Sequence, residues 1–260
     1  MDKINVCVLT LKKESENVKR ISSIFSDEIY NLILIPITNI VDSVSNVSDV
    51  ESHLDTKRML HALDMSKTID PEAITIILKD TSIFSSKKDH VLEVIKTSLE
   101  VEDWDLVYLN RWLDRCDLYT DDRHRVGNTF TEIIRTRSPN GTQAIMFSVI
   151  GRDRILGVEP LRDSTYFKLV NISIDTLLNI SIENSSLFAY VIVPNLVEFD
   201  IGVSSTLSNL AKMSECRAPP DVSNKGLLPF TLFLGIVICT FLLMWAYGKI
   251  SKVSIKDSVV

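Results

Sequence analysis

Apolar and polar positions follow two rhythms along this chain. The runs "INVCVLTL" from Ile4, "YNLILIPI" from Tyr30 and "AITIIL" from Ala73 are almost wholly apolar and rich in β-branched residues. Their length and composition predict strands covered on both faces. Between them the spacing is helical. "KKESENVKRISSIFSDEI" places Val18, Ile21, Ile24 and Phe25 on one side, and "VESHLDTKRMLHALDMS" does the same with Leu54, Met59, Leu60 and Leu63. The stretch Ile40–Val50 is polar and β-branched and reads as loop. Further on, "KKDHVLEVIKTSLEVE" predicts a third helix and "DLVYLN" another strand. "NTFTEIIR" and "TQAIMFSVI" predict two more strands about the turn "TRSPNG". Helices are expected around Arg152–Leu156 and Ser164–Leu178, then a late strand at "LFAYVIV". This alternation predicts one α/β domain with a mainly parallel sheet.

One segment breaks both rhythms. From Leu227 to Tyr247 no residue is charged, and about 21 such residues span a hydrocarbon core of roughly 30 Å. Trp245 and Tyr247 stand at one end, where amphipathic aromatics favour a membrane interface, and Lys225 and Lys249 bracket the run. The amino-terminal apolar run, Ile4 to Leu11, is too short to span a membrane and is followed by no small-residue cleavage pattern. The expected organisation is therefore an α/β domain over 1–215, a linker over 216–226, a transmembrane helix over 227–247 and a tail over 248–260. Insertion after synthesis would leave the domain facing the cytosol. The flanking lysines and arginines balance, so they give orientation no vote.

The four cysteines, Cys7, Cys116, Cys216 and Cys239, have no zinc-site spacing, and one lies in the apolar span. They do not read as a disulfide framework, which agrees with a reducing compartment. The sequons at Asn46, Asn171, Asn179 and Asn184 matter only if the domain is luminal. Acidic residues outnumber basic ones, 34 to 28, so nucleic-acid binding has no compositional support.

Several chemistries are absent from the sequence. No GxGxxG follows the first strand, and there is no phosphate loop, no His-Glu-x-x-His and no Gly-x-Ser-x-Gly. The four histidines are scattered. What stands out is the end of the strand at Ala73, where the apolar run stops at Lys79-Asp80-Thr81. Ligands of open α/β sheets bind at the carboxyl ends of strands.

The order of several short motifs resembles glycosyltransferase family 25, which holds lipooligosaccharide and procollagen galactosyltransferases. "ENVKRISSIF" after the first strand resembles the family's Arg-containing helix. "IILKDTSIF" is similar to its strand ending in Glu-Asp-Asp, "WDLVYLN" to its Trp-Asp-x-x-Tyr-Leu strand, and "NGTQAIMFS" to its Gly-Thr-His-Ala-Tyr segment. "EPLRD" resembles its Pro-x-Asp, and "VPNLVEFDIGVSST" its closing stretch; the matches run over roughly residues 4 to 206. The resemblance implies a nucleotide-sugar-transferase fold of GT-A type. It also implies a nucleotide-sugar donor bound near Lys79, Asp80, Thr81, Gly141, Thr142 and Gln143, and a glycan or protein acceptor.

Departures from that pattern bear on mechanism. The family's acidic cluster holds Mn²⁺ or Mg²⁺, for which hard oxygen ligands are suited. Here Lys79 and Thr81 replace its outer carboxylates, leaving Asp80 as metal ligand, and Gln143 stands where the family has histidine. Either Lys79 supplies the positive charge itself, or catalysis is lost and the fold serves as a membrane or envelope interaction module. Asp163, at the Pro-x-Asp position, is the candidate general base; a helix cap beside Ser164 is its structural alternative. The Asp103-Trp104-Asp105 triplet precedes its strand and is expected to be a solvated turn at the other end of the sheet. "RWLDRCDLYTDDRHR" reads either as a solvated loop or as a binding loop carrying Asp121 and Asp122.

Overall fold

The computed structural model of the chain describes residues 3–37, 47–112, 114–168, 172–199 and 216. The first three apolar runs form strands, β1 (Ile4–Thr10), β2 (Tyr30–Pro36) and β3 (Ile74–Lys79). All seven residues of β1 and the first five of β3 are buried. That is why β1 and β3 show no in–out alternation: helices cover both faces. β2, expected to be covered likewise, is an edge strand and only part-buried, with Asn31 exposed.

Helix α1 (Glu16–Ile24) starts where Ser15 accepts a hydrogen bond from Val18 N, with Glu16 in its first turn. Both features satisfy or complement the unpaired amides at a helix start. Helix α2 (Val47–Ile69) overlaps the end of the stretch expected to be loop; residues 38–46 lie outside the described residues. The remaining elements are β4 (Ser82–Phe84), α3 (Lys88–Leu99), β5 (Leu106–Tyr108), β6 (Arg123–Arg125) and β7 (Glu132–Thr136). After them come β8 (Ala144–Phe147), α4 (Val149–Ile155), α5 (Ile174–Glu183), β9 (Ala189–Val193) and β10 (Val197–Phe199). Ser148 and Ser173 cap α4 and α5 by accepting from Gly151 N and Thr176 N. The helix expected at Ser164–Leu178 thus begins ten residues later, at the first serine able to cap it.

Eight strands form one sheet in the order β2-β1-β3-β8-β5-β9-β7-β6; β4 and β10 form a separate antiparallel pair. Within the large sheet β8 and β7 run against the other six strands. The architecture is mixed α/β with a large, mostly parallel central sheet. Apolar residues of α1 and α3 (Val18, Ile21, Val91, Val94 and Ile95) pack on one face. Those of α2 and α5 (Met59, Leu63, Leu177, Leu178 and Ile182) pack on the other. The crossover β1–α1–β2 runs outward, and β2–α2–β3 returns past β1. Crossovers of one hand place their helices on opposite faces when the direction reverses. The reversal therefore lies between β1 and β3.

Two expectations change. Cys116 and Cys216 are joined in a disulfide, 100 residues apart in sequence. Spacing along the chain says nothing about this pair, because the fold brings them together. The pairing removes the cysteine argument for a reducing compartment. The Asp103–Asp105 turn does lie at the amino end of β5, but Asp105 is fully buried rather than solvated. Its carboxylate binds Arg154, Arg162 Nε at 2.9 Å and Phe188 N at 2.7 Å.

The apolar stretch 227–247 lies outside the described residues. Among the described residues no helix is long and apolar enough to cross a membrane.

Candidate functional site

At the carboxyl ends of β1 and β3 the strand order reverses, and the helices that follow these strands, α1 and α3, pack on the same face. Asp80 follows β3 directly. Its backbone N–H donates to Leu9 O at 2.9 Å, continuing the β1–β3 ladder. Its side chain turns across the reversal, where Oδ2 accepts from Thr10 Oγ1 and from Leu11 N, each at 2.9 Å. Asp80 thus braces the end of β1 against the end of β3.

Lys79 is the last residue of β3. Its N–H donates to Gln143 O at 3.0 Å, and its ammonium lies 2.7 Å from Asp55 Oδ2 on α2. Asp55 also receives Arg58 Nη1 at 3.2 Å. Thr81 Oγ1 donates to Gln143 Oε1, and Ser82 Oγ to Gln143 O, both at 3.4 Å. The segment before β8 is therefore tied to the end of β3 residue by residue.

Gly141 lies two residues before Gln143 and has φ +119°, a conformation side chains resist. A Cβ there would also stand 3.0 Å from the Trp112 ring and 3.3 Å from Asn110 O. Its N–H donates to Asp175 Oδ1 at 3.0 Å, in the first turn of α5. Burial pushes the Asp175 carboxyl up, while the Gly141 amide and the Lys79 charge pull it back. Thr142, between Gly141 and Gln143, is half-buried.

The fold thus brings together Lys79, Asp80, Thr81, Gly141, Thr142 and Gln143, far apart in sequence. It does not bring Asp163 to them. Asp163 accepts from Thr165 N (3.0 Å), Thr165 Oγ1 (2.7 Å) and Ser186 Oγ (2.7 Å). These donors hold its carboxyl down to about 2. Neighbouring Arg162 binds Asp105, which precedes β5, and Ser186 precedes β9. Asp163 therefore lies at the amino end of the sheet, opposite Asp80, where it fastens a loop.

Three contributors escaped sequence reasoning: Asp55, Arg58 and Asp175. The i,i+3 spacing of Asp55 and Arg58 marks a helical ion pair, but nothing in the sequence links it to Lys79.

The site does not fit a divalent cation. A hard cation needs several converging oxygens. Here Asp80 already receives two donors through Oδ2, and Asp55 is paired with Lys79 and Arg58. Among the described residues no three His, Cys, Asp or Glu side chains are grouped to hold a metal.

In the "RWLDRCDLYTDDRHR" segment, Asp114 is fully buried. It accepts from Tyr119 Oη at 2.7 Å. Asp122 accepts from Tyr190 Oη at 2.6 Å and lies 3.0 Å from His124 Nε2, while Asp121 is exposed. The segment is held by the disulfide at Cys116 and runs into β6, with Asp117, Asp121, Arg123 and Arg125 still exposed to solvent.

No family model matches the chain, and no curated protein matches it. Solved structures are similar to it, among them these two. One is a glycosyltransferase involved in the glycosylation of the major capsid of PBCV-1, with 12% identity and a TM-score of 0.31 over 56% of this chain. The chain spans 60% of that structure's length. The other is A197 from STIV, with 10% identity and a TM-score of 0.39, covering 75% of this chain and 83% of that one.

Proposed function

We propose that this domain binds a nucleotide sugar at the carboxyl ends of β1 and β3 and transfers the sugar to a glycan or protein hydroxyl, as a transferase of GT-A type. The observation that supports this is the meeting of Lys79, Asp80, Thr81 and Gln143 with Thr10 and Leu11 where the strand order reverses. Lys79 would leave Asp55 and place its ammonium on the diphosphate, in place of a cation. Thr81 and Gln143 would hydrogen-bond the sugar. As the acceptor oxygen bonds to the anomeric carbon, the nucleoside diphosphate leaves and Asp80 takes the acceptor proton. Residues 227–247 would hold the domain at a membrane.

One observation favours a second reading. Lys79, Asp80 and Gln143 are all bonded to other protein groups. Side chains already bonded to one another suit a non-catalytic descendant that serves as a membrane or envelope interaction module.

Binding of UDP-, GDP- and CMP-sugars to the full chain in mild non-ionic detergent, with and without Mn²⁺, separates the two. The expected result is that one donor binds equally well without Mn²⁺ and that Lys79→Ala weakens it at least about tenfold. Failure of every donor to bind removes the transferase reading and leaves the interaction module.

A further inference from the structure

A cavity lies at the end of the sheet opposite Asp80, between the end of β7 and the start of β9. It encloses about 220 Å³ and is lined by Arg135, Arg137, Thr120, Asp122, Ser185 and Phe188, among others. Phe188 is the centre of a stack. The guanidinium carbons of Arg135 and Arg162 each lie 3.7 Å from its ring centroid. Two guanidinium groups at that distance must occupy opposite faces of the ring. They are not equivalent. Arg162 is committed to Asp103 and Asp105. Arg135 has no ion pair or side-chain hydrogen bond among the described residues, so the ring fixes its plane while its N–H edge stays uncommitted. Stacking of this kind contributes roughly 0.5–2 kcal/mol and pre-orders the guanidinium.

Arg137 follows two residues later. It lies just past the end of β7, and its side chain also lines the cavity. Arg137 is exposed and likewise has no ion pair among the described residues. The one carboxylate on the wall, Asp122, is already bonded to Tyr190 Oη and His124. The cavity therefore carries two guanidinium groups against one engaged carboxylate.

The rim adds an independent observation. Ser185, just past the end of α5, has φ +59°. Ser186 N and Leu187 N both return to Ser181 O, closing the helix end. Glycine is the usual residue at such a position, because side chains there cost roughly 1–2 kcal/mol. Serine keeps a hydroxyl at the cavity instead.

We propose that this cavity is a binding site for a tetrahedral oxyanion of the phosphate type, held by the Arg135 and Arg137 guanidinium groups with the Ser185 hydroxyl. Guanidinium forks match phosphate oxygens geometrically. The proposal is independent of nucleotide binding at the other end of the sheet.

The test measures thermal unfolding of the full chain in non-ionic detergent. Inorganic phosphate or a hexose phosphate is titrated against chloride at constant ionic strength. A ligand that binds only the folded state raises the midpoint. The expected result is a saturable rise with phosphate, with the apparent Kd increased at least tenfold in Arg137→Gln and severalfold in Ser185→Gly. Arg137 is exposed and glycine relieves the Ser185 backbone, so both variants fold. Arg135→Gln loses the ring stack and is read only beside them. Tighter binding of the hexose phosphate than of free phosphate would identify a phosphorylated ligand as the source; the reverse would identify the free ion. The proposal is overturned if neither ligand does more than chloride, or if Arg137→Gln leaves the affinity unchanged.

Discussion

Replacing both Cys116 and Cys216 with serine opens a covalent link between residues 100 apart. The enclosed chain carries β6, β7, β8, α4, α5, β9 and β10, so most of the second half of the sheet lies inside the closed loop. In the chain-entropy account a loop of this length restricts the unfolded chain by about 4.7 kcal/mol at 25 °C. That is a ceiling, because residual structure in the unfolded chain lowers it; measured bonds of this kind give about 2–4 kcal/mol. For a domain of this size each kcal/mol moves the midpoint by about 2–4 °C, giving an expected fall of roughly 4–16 °C. The assay is thermal unfolding of the full chain in detergent, comparing oxidised protein, reduced protein and the double serine variant. The last two should agree. Equal midpoints for the oxidised protein and the serine variant would refute the reasoning. So would free thiols at both positions in unreduced protein, read by alkylation and mass spectrometry.

Three further outcomes are expected. Asp105→Asn leaves the Arg154 and Arg162 guanidinium groups without their shared buried carboxylate; the loss should be about 3 kcal/mol, the low end for a broken buried pair, because Arg162 keeps Asp103. Urea unfolding reads this, and a loss under 1 kcal/mol contradicts it. Gly151→Ala places a Cβ 2.1 Å from Asp105 O, a backbone atom that cannot swing aside; overpacking costs about 1–3 kcal/mol or more, so this variant should unfold well before wild type or fail to accumulate folded. Cys7 is fully buried, and burial pushes its thiol from 9.0 up to about 12; it should resist iodoacetamide until the protein unfolds. Because the folded value is raised, its contribution to stability is whole below pH 9 and disappears as pH climbs towards 12. The pH slope of stability across that window should be shallower in Cys7→Ala.

Sequence pattern determined the local elements wherever one physical cause dominated. β1 and β3 are apolar throughout because both faces are covered, and that alone marked them as central strands of a layered α/β domain. α1 and α3 were legible from their apolar stripes, and the strand end at Lys79-Asp80-Thr81 from the abrupt stop of an apolar run. The short strands β4, β6 and β10 were not legible, since three residues carry too little period to stand out. The start of α5 was misplaced because helical spacing extends upstream of the serine that caps it.

Tertiary structure decided everything that depends on which chain ends meet. The direction of β8 sets the Gly141–Gln143 segment beside Lys79, and the order reversal between β1 and β3 makes Asp80 a brace to Thr10 and Leu11 rather than an open ligand. Asp163 and Asp80, both singled out by their motifs, fall at opposite ends of the sheet, because β5 and β9 run in the same sense as β3. The Cys116–Cys216 bond and the Arg135–Phe188–Arg162 stack join residues separated by tens of positions. Periodicity reports only the environment of a residue's own element, so partners supplied by another element stay invisible until the strands are ordered.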